Sequence, residues 1–99
     1  MAAYPLRAVY SRQARPAGGA PVQILVSVPK KHFHHAVDRN RVKRQIREAF
    51  RQNKQLLCGA LPDTEQLLLA FVWLSDRHST TEQVERRVAN LMQRIAEKL

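Results

Sequence analysis

The basic side chains between Arg39 and Arg51 are the residues whose type and spacing indicate a specific chemistry. Thirteen positions hold six cations, five of them arginine, and a single acid, Glu48. The cations are Arg39, Arg41, Lys43, Arg44, Arg47 and Arg51. Guanidinium groups donate paired hydrogen bonds that fit phosphate oxygens, whereas crowded like charges repel when no anion neutralises them. The run therefore indicates a surface for a phosphate backbone, where counterion release turns this repulsion into affinity.

Further polar residues flank this run. Lys30 and Lys31 precede it and extend the same predicted patch. Three histidines follow them in a His-x-His-His spacing over His32–His35. Only Asp38 is near enough in sequence to complete a metal site, and spacing alone is weak evidence, so no metal ligand is assigned. Contact with RNA and plain surface histidine both remain open for these side chains.

The sequence shows no residue arrangement that is typical of a protein active site. The sequence has no paired carboxylates, no Ser/His/Asp set, no glycine-rich phosphate loop and no Cys/His pair at a diagnostic spacing. The single cysteine, Cys58, excludes an internal disulfide and is expected to be half-buried and inert. No catalytic residue is assigned.

The charge of the chain is concentrated in its first half. The 99 residues carry a formal net charge of +9, with 12 lysines and arginines against two acids in residues 1–54 and five against six in residues 55–99. A hydrophobic content of 44% suits one small globular domain over residues 1–99. No apolar run approaches the roughly 20 residues of a membrane span, and Met1–Arg12 lacks the core of a signal peptide. We expect a cytoplasmic protein with an anionic partner and no membrane contact.

An amphipathic helix must position the basic residues. Its apolar side is formed by Val42, Ile46, Ala49 and Phe50, which recur at helical spacing. The pattern predicts a helix from about 36–39 to 58, with Asp38 or Asn40 as the N-cap and Gly59 just past the end. One face would pack into a core while the other presents cations to a polyanion.

Three strands and a second helix complete the predicted elements. Strands are predicted over residues 6–11 and 22–28, joined as a hairpin with a long loop, and over 67–74, which is apolar enough for cover on both faces. A capping box of Ser79 with Glu82 begins the last helix. The order β-β-α-β-α predicts an α+β two-layer sandwich, with a small mixed sheet and helices packed on it.

The stretch 25–31 followed by 36–51 resembles the protein component of bacterial ribonuclease P. That family carries Ser-Val-Ser-Lys-Lys, a short turn, and then Ala-Val-x-Arg-Asn-Arg-x-Lys-Arg-x-x-Arg-Glu-Ala-Phe. The corresponding segments here are Leu-Val-Ser-Val-Pro-Lys-Lys and Ala-Val-Asp-Arg-Asn-Arg-Val-Lys-Arg-Gln-Ile-Arg-Glu-Ala-Phe-Arg. Residues 5–10 resemble the first strand of the family, and the later elements follow in the family's order. The resemblance covers essentially the whole chain.

The resemblance implies both a fold and a function. The fold would be the family's sandwich with a left-handed β-α-β crossover, although right-handed crossovers are the rule. The protein would be a subunit of the ribonucleoprotein endonuclease that removes the 5′ leader of precursor tRNA, in which a large RNA with Mg²⁺ performs the cleavage. The implied RNA-binding residues are Lys30, Lys31, Arg39, Asn40, Arg41, Lys43, Arg44, Arg47 and Arg51. The implied leader cleft contains Tyr10, Ser27, Lys43 and Arg47, with Tyr10 and Ser27 on one sheet face.

Three departures from the family pattern carry expectations of their own. Pro29 replaces the second serine of Ser-Val-Ser-Lys-Lys, and the turn His32–His35 is one residue longer and lacks the family's Gly-Asn. The sequence starts at Met1, just before the first strand, where the family has a helix with aromatic residues. We therefore expect weakened leader binding and an uncovered apolar sheet face through which the chain weakly self-associates.

Two other functions fit the residues without the resemblance. One is a structural RNA-binding module of the ribosomal-protein type, which shares the basic charge and a related sandwich topology. The other is a DNA-binding regulator that reads the major groove with the 39–51 helix, although such a regulator normally needs a dimer interface and none is evident.

Overall fold

The computed structural model describes all residues from Met1 to Leu99 and has the predicted α+β architecture. Four strands and two helices follow in the order β-β-β-α-β-α. The elements are β1 (Ala2–Ala3), β2 (Leu6–Ala14), β3 (Val22–Ser27), α1 (Ala36–Cys58), β4 (Glu65–Trp73) and α2 (Thr81–Lys98). The two-residue β1 was not predicted, because two alanines carry no strand signal. Neither helix combines the length and apolarity that crossing a membrane requires.

The most apolar strand, β4, lies inside the sheet. The strand order is β1-β2-β4-β3, with β4 antiparallel to β2 and parallel to β3. The predicted hairpin between β2 and β3 is therefore wrong. The interior position gives β4 two hydrogen-bonded neighbours, while the more polar β2 and β3 flank it. The β3–α1–β4 connection is the parallel crossover that the resemblance implied, and its left-handed sense stays a prediction.

One face of the sheet is buried beneath both helices. Cross-strand partners lie on the same face, and Leu6, Ala8 and Tyr10 of β2 are opposite Trp73, Phe71 and Leu69 of β4. The strand residues in the buried core are Leu6, Ala8, Val22, Val26, Leu67, Leu69, Phe71 and Trp73. The helices add Val42, Ile46, Ala49, Phe50, Leu57, Val84, Val88, Leu91, Met92 and Ile95. All three aromatic residues Phe50, Phe71 and Trp73 are buried in this core.

The opposite face, here called the open sheet face, is not covered by a helix. It carries Arg7, Val9, Ser11, Gln23, Leu25, Ser27, Leu68, Ala70 and Val72. Val9 and Leu25 are 49% and 66% exposed. The prediction that β4 is covered on both faces is wrong, because its residues alternate between buried and half-buried. The open sheet face is therefore an uncovered, partly apolar surface, as expected.

A shallow depression lies on the open sheet face. Its volume is about 380 Å³, and residues 9–11, 23–25 and 68–70 line it. No helix residue contributes to the lining, and Leu69, which points to the other face, is only 2% exposed. The depression therefore belongs to the open face and not to the helix-covered side.

The helix ends differ from the prediction in detail. His35 is the N-cap of α1 without a side-chain cap, so Asp38 and Asn40 were wrongly predicted for this role. Gly59 does follow the last turn, and its N–H bonds the carbonyl of Gln55. The capping box of α2 uses Thr80 and Gln83, one residue beyond the predicted Ser79 with Glu82. Ser79 and Thr80 both suit the N-cap position by residue type, so the sequence alone does not decide between them.

Candidate nucleic-acid interface

One groove runs along the solvent side of α1. It has a volume of about 410 Å³ and no hydrophobic lining residue. The lining residues are Asn40, Arg44, Arg47, Glu48 and Arg51. Their spacing of four, three, one and three positions places them on the side of the helix opposite Val42 and Ile46, which are buried. The apolar stripe that packs α1 into the core therefore also determines which arginines face solvent.

Three arginines of this helix are free of intramolecular partners. Arg41, Arg44 and Arg47 are exposed, and the side-chain hydrogen bonds of the α1 arginines involve only Arg39 and Arg51. Helix surfaces that are merely solvated usually alternate signs so that i, i+4 ion pairs form. Unpaired guanidinium groups in a row instead leave their donors available to phosphate oxygens.

Arg39 is engaged with the loop that precedes α1. Its Nη1 donates to the backbone oxygens of Phe33 and His34, both at 2.9 Å, and the residue is half-buried. The structure therefore gives Arg39 a role in holding this loop. Contact between Arg39 and RNA stays a prediction.

Arg51 is paired with the single acid of the groove. Its Nε and Nη2 donate to the two carboxylate oxygens of Glu48 at 3.1 and 2.5 Å. The hydrogen bond from Arg51 lowers the pKa of Glu48 below 4.5, and the same pair raises the pKa of Arg51. Because the pKa of the carboxyl is depressed, the pair is present above pH 4.5 and is lost only as the pH falls through the lower value. Glu48 thus neutralises Arg51 at any physiological pH.

Glu48→Gln is expected to strengthen binding to a polyanion. Removing the carboxylate charge frees Arg51 for one more phosphate contact, so the plot of log affinity against log salt should become steeper by about 0.7–0.9. Filter binding across a salt series measures this slope. Gln55→Ala, an exposed change on the same helix, is the neutral control. An unchanged slope for Glu48→Gln would show that Arg51 does not reach the nucleic acid.

Lys30 and Lys31 lie in the loop between β3 and α1. Both are exposed, and no ion pair involves either of them. Lys43 is half-buried on α1, at the side of the helix nearer to the buried Phe50 than to Arg44. Of the predicted RNA-binding residues, five are exposed along α1, namely Asn40, Arg41, Arg44, Arg47 and Arg51. Arg39 and Lys43 are half-buried, and the two lysines precede the helix in the loop.

The structure does not bring Tyr10 and Ser27 to one face of the sheet. Tyr10 is opposite Leu69 and packs half-buried against the core, whereas Ser27 is opposite Val72 on the open sheet face. Side chains alternate along each strand, so the register of both strands with β4 separates them. The expectation of a shared face is wrong. A role of either residue in leader binding stays a prediction.

Two polar contacts between α1 and the β4–α2 connection were missed from the sequence. Gln45 is only 9% exposed. Its Nε2 donates to the backbone oxygen of Ser79 and to Oγ1 of Thr81, both at 3.2 Å. His78 Nε2 lies 3.0 Å from Asp38 Oδ1. The position of a glutamine beside the apolar stripe of α1 was the only sequence signal for the Gln45 contact. Nothing in the sequence pairs His78 with Asp38, which is 40 residues away. Cys58 is half-buried and free, as expected.

Comparisons with known proteins bear on the family and the fold of this chain. A protein-family model described as Ribonuclease P matches residues 4–96 of this chain. A ribonuclease P protein component from Porphyromonas gingivalis is 45% identical over 94 residues, covering 94% of this chain and 68% of that protein. One from Chlorobaculum tepidum is 43% identical over 68 residues, covering 64% of this chain and 44% of the other. The solved RNase P protein from Thermotoga maritima has a TM-score of 0.54 over 88% of this chain and 76% of its own, at 23% identity, and so supports the fold.

Proposed function

We propose that this chain, which belongs to the ribonuclease P protein family, acts as the protein subunit of the ribonucleoprotein endonuclease ribonuclease P. It binds the catalytic RNA and the 5′ leader of precursor tRNA during maturation of the tRNA 5′ end. The unpaired row of Arg41, Arg44 and Arg47 on α1 is the observation that carries this proposal. A folded domain gains nothing from adjacent unpaired cations, whereas a phosphate backbone converts them into affinity.

The chemistry of cleavage is assigned to the RNA. No group of three or more His, Cys, Asp or Glu side chains lies close enough together to hold a metal ion. We place the Mg²⁺ of the holoenzyme mainly on the partner RNA, whose phosphate oxygens are ligands that Mg²⁺ prefers. The part of the protein is to neutralise phosphates and to orient RNA. A cytoplasmic location remains a prediction of the sequence.

Reconstitution tests the function directly. The chain is mixed with a bacterial ribonuclease P RNA and precursor tRNA at low Mg²⁺, and the rate of 5′ leader removal is compared with that of the RNA alone. Acceleration is expected, because the protein cations replace part of the neutralisation that Mg²⁺ otherwise provides. Binding to ribosomal RNA without any acceleration of cleavage would favour the structural RNA-binding module instead.

Weak self-association through the open sheet face is a separate prediction. Leu25 and Val9 are the large apolar side chains exposed there, and contiguous exposed apolar surface promotes association. Leu25→Ser should shift concentrated protein toward the monomer in sedimentation velocity, while Val37→Ser, an equally apolar residue exposed on α1, should not. A strictly monomeric profile of the unaltered chain at high concentration would contradict this prediction.

A further inference from the structure

Two loops meet at the N-terminal end of α1. Residues 28–35 connect β3 to α1, and residues 74–80 connect β4 to α2. His32 of the first loop has its Nδ1 at 2.5 Å from Oδ1 of Asp76 in the second. The His32 side chain is only 14% exposed, whereas that of Asp76 is 77% exposed. One histidine–carboxylate pair therefore joins the two loops at their surface.

His78 makes the reciprocal contact from the second loop. Its Nε2 lies 3.0 Å from Oδ1 of Asp38 in the first turn of α1. Its ring also stacks on Phe33 of the first loop, with centroids 4.5 Å apart and planes inclined by 20°. Phe33 is 7% exposed. We call the set His32, Phe33, Asp38, Asp76 and His78 the histidine latch.

The latch holds both ends of the segment that leads into the basic helix. Lys30 and Lys31 come directly before the latched His32, and Arg39 comes directly after Asp38. Within the segment, Nη1 of Arg39 donates hydrogen bonds to the backbone carbonyls of Phe33 and His34. The two lysines and the arginine row of α1 are thus held in one arrangement before any ligand arrives. A loop without such contacts would lose conformational entropy on binding, at a cost to affinity.

We propose that His78 is a positioning residue for RNA binding, which acts by holding Asp38 and Phe33 and so pre-orders the Lys30–Lys31 loop against α1. This proposal rests on the function proposed above and adds a residue with no contact to the nucleic acid. The His78 side chain is three-quarters buried between the two loops. Its removal should change how well the loop is placed, and should leave the number of cations unchanged.

His78→Ala should weaken binding to a bacterial ribonuclease P RNA by about five- to ten-fold, the range set by ordering the loop side chains on binding. The slope of log affinity against log salt should stay as in the unaltered chain, because no phosphate contact is lost. Lys30→Ala with Lys31→Ala should instead lower that slope by about 1.5, which distinguishes a lost contact from a lost arrangement. His78→Gln should recover part of the affinity, because its amide can still donate to Asp38.

Two controls separate positioning from general stability and from charge. Val88→Ala removes methyl groups from the core of α2, where Val88 is fully buried; it should lower Tm without changing RNA affinity under conditions where the variant is folded. Asp63→Asn removes a carboxylate from an exposed turn between α1 and β4, outside the latch, and should bind at least as tightly as the unaltered chain. An affinity of His78→Ala equal to that of the unaltered chain, with only Tm reduced, would overturn the latch as a positioning device. Failure of the unaltered chain to bind this RNA would overturn the proposed function and the latch proposal together.

Discussion

Arg41→Ala combined with Arg44→Ala is expected to weaken RNA binding by roughly 30-fold, or about 2 kcal/mol, while the fold stays intact. Both side chains are exposed and neither has an intramolecular partner, so their removal costs no native hydrogen bond. Each contributes a guanidinium to the solvent side of α1. Loss of two phosphate contacts should make the slope of log affinity against log salt shallower by about 1.4–1.8.

The matched control is a pair of arginines on the other helix. Arg86→Ala with Arg87→Ala removes the same charge from exposed positions of α2, where Glu82 already pairs with Arg86. A general effect of net charge would lower affinity equally in both double variants. If the Arg41 and Arg44 double variant keeps the slope of the unaltered chain, the RNA contacts a different surface. Thermal unfolding of each variant confirms that the fold is retained.

Phe71→Ala is expected to lower the free energy of unfolding by about 3–5 kcal/mol. Phe71 is fully buried in β4, and its cross-strand partners on the same face are Ala8 and Val26. These partners are too small to fill the cavity that the ring would leave. For a domain of this size the loss corresponds to a fall in Tm of roughly 15–30 °C. Urea unfolding followed by circular dichroism measures it.

Leu25→Ala provides the contrast on the open sheet face. Leu25 is 66% exposed, so its truncation should change the free energy of unfolding by no more than about 0.5 kcal/mol. Leu25 shares its strand face with Gln23 and Ser27, whereas Phe71 shares its face with the buried Leu69 and Trp73. A cost for Leu25→Ala similar to that of Phe71→Ala would mean that another element or a second copy covers the open face.

The helical periodicity of residues 36–58 is sufficient to define the basic surface of α1. Buried apolar residues at helical spacing orient a helix unambiguously, so the exposed side of Arg41, Arg44 and Arg47 follows from local geometry alone. The ends were less certain. Asp38 is a favourable N-cap residue by type, yet its carboxylate is engaged by His78 from another loop, a contact between positions 40 residues apart that no local pattern encodes.

The sequence by itself determined the two helices, the three longer strands, the basic face of α1 and the family, because periodicity, charge and motif order are local properties of the chain. Only the tertiary structure decided the strand order, the two faces of the sheet and the partners of Asp38, Gln45 and His78. Strand pairing depends on which segments meet in space. Because β4 lies between β2 and β3, the predicted hairpin does not form. The register of β4 with both strands places Tyr10 and Ser27 on opposite faces. The contacts that place the loop before α1 likewise join segments distant in sequence, and so arise only when the chain is folded.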